Sequence, residues 1–153
     1  MATASFSQAD SHPELPLDPD GPLHLRGRYV YVVFVGGMLG TGARYEAGQL
    51  IPAMAGLPLA TMLVNLIGCF ALGLLLELLV RRGPDRGWLR LTRLHLGTGF
   101  LGAFTTYSAM AVETVDLGWA GHPVQAAGYF LATLLLGAAM TVLGIWAGAR
   151  WSR

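Results

Sequence analysis

Four stretches of this chain, 29–50, 59–80, 91–117 and 123–149, stay apolar for long enough to cross a lipid bilayer. A hydrocarbon core of about 30 Å takes roughly 20 residues of helix. The connectors between the stretches hold the expected breakers: Pro52 with Gly56–Leu57–Pro58, then Arg81–Arg82–Gly83–Pro84–Asp85, then Gly118 with Gly121–His122–Pro123. The pattern predicts an all-α integral membrane protein with four transmembrane helices over residues 28–150. Composition agrees: 54% of residues are hydrophobic and 12% charged, against about 25% charged in an average soluble protein. A net charge of +1 gives no support to nucleic-acid binding.

Residues 1–25 are polar, acidic and proline-bearing, with no apolar run behind a basic start, so they do not read as a signal peptide. A disordered cytoplasmic tail over residues 1–27 is expected, and its His12 and His24 carry no metal-site pattern. The single Cys69 can form neither an internal disulfide nor a metal site, and reads as a small buried core residue.

Glycine recurs on the apolar stretches, at Gly36, Gly37, Gly40, Gly68, Gly73, Gly137 and Gly144. Lipid gives no hydrophobic drive for helix association, so membrane helices pack through small residues. A compact bundle is predicted, and four helices enclose so little interior that a dimer or larger unit is expected. With four spans, the termini and the middle loop share one side. That side holds Arg26, Arg28, Arg81, Arg82, Arg86, Arg90, Arg93, Arg150 and Arg153, against Arg44 on the other. The bias places both termini in the cytoplasm.

Polar residues within such spans are costly and point to function. Asn65 lies one helical turn after Thr61, on the same face. It is read either as an interhelical hydrogen bond or as a donor lining a polar path. Tyr129, Thr133, Gly137 and Thr141 form an i, i+4 series, a polar track down one stripe, although threonine hydroxyls often bond their own helix backbone. Arg44 reads as a helix-end anchor or, less simply, a ligand contact. Glu77 falls at a span end, and Glu113 at a pore mouth. Trp88, Trp119, Trp146 and Trp151 fall where interfacial belts lie.

Residues 97–110, GTGFLGAFTTYSAM, are too rich in glycine and hydroxyls for an unbroken helix and too apolar for a watery loop. Non-helical backbone at membrane depth is tolerated only when buried in protein or lining a cavity. A break there frees carbonyls, which are hard ligands for a cation such as Na⁺. Gly102 allows close approach of another backbone, and Thr105, Thr106 and Ser108 can satisfy loose groups and donate hydroxyls. A glycine kink without an ion is the simpler alternative.

Three blocks, GGMLGTGARY (36–45), TMLVN with Gly68 (61–68) and GFLGAFTTYS (99–108), resemble the signature blocks of the Fluc/CrcB fluoride ion channels, in the same order, within a resemblance over 29–149. The resemblance implies an antiparallel, dual-topology dimer in a bacterial inner membrane, with fluoride pores and one central Na⁺. It implies Na⁺ on the carbonyls of Gly102 and Thr105. Asn65, Ser108, Tyr129, Thr133 and Thr141 then line the fluoride path, Arg44 is structural, and Glu113 borders the vestibule. Where the family has two pore phenylalanines, this chain has Tyr107 and Met110, so at least one pore contact is altered. Ring edges carry positive quadrupole and face anions; Met110 has no ring.

The expected function is passive export of cytoplasmic fluoride, through neutral donors at several weak sites that favour exit as well as entry. The arginine bias and the altered ring positions suggest a partner-dependent half of a heterodimer, or a non-conducting subunit. A small proton-coupled exporter is the other rival, but it needs a mid-depth acid on an early helix, and the first span has none. No nucleophile motif, phosphate loop or His/Cys/Asp cluster supports an enzyme.

Overall fold

The computed structural model describes residues 26–52 and 56–151; the tail expected over 1–27 lies almost wholly outside them, as do His12, His24 and Arg153. The described residues form helices joined by short connectors: α1 (Gly27–Leu50), α2 (Leu59–Arg81), α3 (Gly87–Thr92), a π-helical segment (Arg93–Leu101), α4 (Gly102–Phe104), α5 (Tyr107–Trp119) and α6 (Pro123–Trp151). α3, the π segment and α4 run on continuously, so the architecture is four helices with the third interrupted before α5. Two of them, α2 and α6, are long and apolar enough to cross a membrane.

The interior is small and the exterior large. On α6 the buried residues are Ala126, Tyr129, Thr133, Gly137, Gly144 and Gly148, while Leu131, Leu134, Leu135, Leu136, Val142 and Leu143 are exposed. On α1 only Gly36 and Gly40 are buried, and Tyr31, Phe34, Met38 and Leu39 face outward. In water this arrangement would waste apolar surface; in lipid, close backbone approach supplies the packing.

Glycine sets both seams. A Cβ on Gly36 or Gly40 would run into the His95 or Phe100 carbonyl of the π segment, and one on Gly73 or Gly144 into the Thr141 or Phe70 carbonyl. α1 therefore packs backbone to backbone on the π segment, and α2 on α6, each pair parallel. His95 adds a bond from its ring Nδ1 to the Val32 carbonyl at 2.9 Å.

The chain end of α2, the start of α3 and the end of α6 come together at one end, with the arginines. Between α2 and α3 the Asp85 carboxylate takes a forked pair from Arg93, Nε at 3.0 Å and Nη2 at 2.7 Å, and its carbonyl accepts from Arg90 Nε at 2.9 Å. The hydrogen bond from the Arg93 guanidinium holds the Asp85 carboxyl below the usual carboxylate range. Arg150 lies over the Trp146 ring at 4.1 Å, the geometry of a cation–π contact.

Candidate functional site: the break and its groove

The third helix fails at Thr105 and Thr106, both extended, with φ/ψ of −76°/154° and −148°/123°. Its stump is closed from two sides. Leu101 O accepts both the Thr105 N–H, at 3.0 Å, and the Thr105 hydroxyl, at 2.9 Å. Beyond the break Thr106 is the N-cap of α5: its Oγ1 accepts the Ala109 N–H at 3.2 Å, the usual way an orphan amide of a first turn is satisfied.

Asn65 reaches across from α2 to the break itself. Its Oδ1 accepts the Thr106 N–H at 2.7 Å, and its Nδ2 donates to the Thr106 carbonyl at 2.9 Å. One side-chain amide thus bites both backbone groups of one residue, as a neighbouring strand would, and only 9% of Asn65 remains exposed. The interhelical bond considered for Asn65 is present, with backbone as its partner. Gly68, one turn further along α2, makes room: a Cβ there would strike the Thr105 methyl.

These bonds have a consequence for two carbonyls. In an α-helix the carbonyl of residue i accepts from the N–H of i+4. Thr106 N–H, the helical donor for Gly102 O, is given to Asn65. Ala109 N–H, the helical donor for Thr105 O, is given to the Thr106 hydroxyl. Gly102 stands on the exposed outer face and Thr105 is half-buried.

Beside the break lies an open groove of about 300 Å³. Its walls are Asn65 and Cys69 from α2, Thr105 and Thr106, Tyr107 and Met110 from α5, and Thr133, Gly137 and Thr141 from α6. Asn65, Thr105, Tyr107, Met110, Thr133 and Thr141, distant in sequence, are thus brought together. Tyr107 is 67% exposed at the groove, whereas Met110 is 2% exposed and packs with Leu117, Ala126 and Tyr129. The hydroxyls of Thr133 and Thr141 donate to the carbonyls of Tyr129, at 2.8 Å, and Gly137, at 3.0 Å, so each is bonded within its own helix.

The other candidate residues lie elsewhere. Tyr129 is buried behind the groove, and its hydroxyl donates to Glu113 Oε2 at 2.6 Å. Thr61 donates to the other oxygen, Oε1, at 2.6 Å, so Glu113 joins α2, α5 and α6. Ser108 is exposed, 3.2 Å from the Thr106 hydroxyl. Arg44 is half-buried in the last third of α1. Cys69 is a correction: it is half-buried at the groove wall and not in the core, because the facing position on α6 is Gly137, whose added Cβ would sit 3.5 Å from Cys69 Sγ. The central place of Thr106 as cap and clamp partner was the residue-level feature least visible in sequence, although a threonine ahead of an apolar run with a helix restart is its signal.

Backbone-to-backbone glycine seams and an apolar exterior around a largely apolar groove at a helix break fit a helical membrane protein. Comparison with known proteins carries this further. The family described as CrcB-like protein, camphor resistance (CrcB), matches residues 31–145. The chain is 48% identical over 128 residues to the fluoride-specific ion channel FluC 2 of Leifsonia xyli subsp. xyli, covering 84% of this chain and 88% of that one. It is 45% identical over 119 residues to FluC 1 of Cutibacterium acnes, covering 77% and 83%, and 42% identical over 120 residues to FluC of Paracoccus denitrificans, covering 76% and 90%. The chain belongs to the CrcB family.

Proposed function

We propose that this chain is a subunit of a fluoride-specific channel that releases cytoplasmic fluoride passively across a bacterial inner membrane. Relatives named as fluoride-specific ion channels support the substrate. The observation that carries the reading is the broken helix, whose clamped backbone forms the wall of a groove running along α6. Fluoride is small and strongly hydrated, so a path has to offer replacement donors at close spacing. The second N–H of Asn65 and the Tyr107 hydroxyl supply donors. Thr133 and Thr141 act once their hydroxyls turn from their own carbonyls to the ion. All of these are neutral, which suits passage over trapping.

The working unit in this reading is an antiparallel dimer. Gly102 is exposed beside a break, and released carbonyls are not stable against lipid; a second family chain laid over this face would shield them. The same two carbonyls, Gly102 and Thr105, have lost their helical donors, and such hard oxygens fit Na⁺. A bound Na⁺ would supply a fixed positive charge at the dimer centre. The arginine-rich end faces the cytoplasm.

The test is efflux from fluoride-loaded liposomes, read with a fluoride electrode and with chloride as the control. Rapid, fluoride-selective release from the purified chain supports the proposal. Silence alone but release with a second family chain supports the partner-dependent form, which the one-sided arginines favour. Silence in both settings overturns it.

A further inference from the structure

We infer that Asn65 is a positioning residue for the cation site: its clamp on Thr106 is what keeps the Gly102 carbonyl available as a ligand. The inference rests on the cation reading proposed above and adds a cause to it. Thr106 N–H has two competing acceptors. One is Gly102 O, four residues back, which would continue the helix of α4 into α5. The other is Asn65 Oδ1, which holds it at 2.7 Å while Nδ2 fixes the Thr106 carbonyl at 2.9 Å.

An amide is suited to this because it presents an acceptor and a donor on one plane. A carboxylate at the same place still accepts from Thr106 N–H but sets a negative oxygen against the Thr106 carbonyl. An alanine removes both bonds and leaves Thr106 N–H to return to Gly102 O. Asn65 itself borders the groove. One side chain therefore joins the wall of the ion path to the carbonyl set, so occupancy of one is felt at the other through Thr106.

The experiment measures thermal unfolding of the purified, detergent-solubilised full chain, together with the oppositely oriented family chain wherever efflux requires one, across a Na⁺ titration at constant ionic strength with N-methyl-glucamine replacing Na⁺. Wild type is expected to unfold at higher temperature as Na⁺ rises. For N65A the half-saturating Na⁺ concentration is expected to rise at least tenfold, and for N65D to rise also. T114V, which removes a hydroxyl bonded to the Met110 carbonyl of its own helix outside the groove and the break, keeps the wild-type Na⁺ response. A plain loss of packing lowers unfolding temperature at every Na⁺ concentration without moving the midpoint of the response. That result for N65A and N65D overturns the inference and leaves the cation reading standing. A wild type indifferent to Na⁺ overturns the cation reading and the inference with it. Should neither variant fold, N65Q, which keeps the amide but carries it one methylene farther from Thr106, decides: a raised half-saturating Na⁺ concentration supports the inference, and the wild-type response overturns it.

Discussion

Glu113 receives two hydroxyl donors, Thr61 and Tyr129, one on each oxygen, from two different helices. Leaving a buried hydrogen-bond partner unsatisfied costs about 1–3 kcal/mol, and Tyr129 is buried, so Tyr129→Phe is expected to destabilise the protein by about 1.5 kcal/mol in thermal unfolding. Thr141→Val removes a hydroxyl bonded only to its own helix at Gly137 and is expected to be near neutral by the same measurement; equal losses would mean that the Glu113 junction adds nothing. Gly68→Ala tests the room left for the break. The new methyl meets the Thr105 Cγ2, and turning Thr105 aside costs its hydroxyl bond to Leu101. Overpacking of this kind costs about 1–3 kcal/mol, and fluoride efflux should fall with it because the displaced residue lines the groove. Wild-type efflux from Gly68→Ala would show that the break tolerates movement.

At the scale of helices, the seam between α2 and α6 is uneven, and that gives a contrast. A Cβ on Gly144 meets backbone, the Phe70 carbonyl and Leu74 nitrogen, whereas one on Gly137 meets the Cys69 sulfur at an ordinary 3.5 Å. Gly144→Ala should separate the helices and lower the yield of folded oligomer on size exclusion, while Gly137→Ala leaves it near wild type. The turn between α2 and α3 has a pH dependence of known sign. Asp85 is held below its ordinary value by Arg93, so its contribution is full above the unfolded value of about 4 and is lost as pH falls through the lower folded value. Its side chain is 44% exposed, which screens the pair to a few tenths of a kcal/mol; Asp85→Asn should flatten the acid limb of stability by no more than that. The four helices and the break between Thr105 and Thr106 were legible because apolar run length and glycine–hydroxyl clustering are local signals. The nine-residue π turn of Arg93–Leu101 was not, because it depends on a neighbour: the wider turn accompanies the close approach of Gly99 to Gly36 and Val33 on α1. Asn65 was legible as an unusual polar residue, but its partner is a backbone 41 residues away, and no local pattern marks it. The Tyr129 series was legible as a stripe. Its division into a hydroxyl turned to Glu113 and hydroxyls turned to their own carbonyls follows from tertiary packing alone.

For the molecule as a whole, charge and symmetry pull in different directions. An antiparallel dimer of identical chains needs each chain to insert both ways, and insertion direction follows the arginines near the span ends. In this fold Arg26, Arg28, Arg81, Arg82, Arg86, Arg90, Arg93 and Arg150 gather at one end, and Arg44 lies toward the other. Asp85 offsets part of this through Arg93, but acidic residues weigh little in orientation. The groove adds a second asymmetry: Met110, at a position where the resemblance implies a pore ring, is buried at 2% exposure, and Tyr107 alone presents a ring to the open side. Both features suit a chain that inserts one way and completes its path against a differently oriented partner. A reporter fused to the C-terminus and expressed with this chain alone should therefore give a single, cytoplasmic orientation. Efflux should appear only when an oppositely oriented family chain is supplied, and replacing arginines at the crowded end by glutamine should raise the share of the reverse orientation. Equal amounts of both orientations in the unmodified chain, together with efflux from that chain alone, would instead establish a homodimer that forms against its own charge bias.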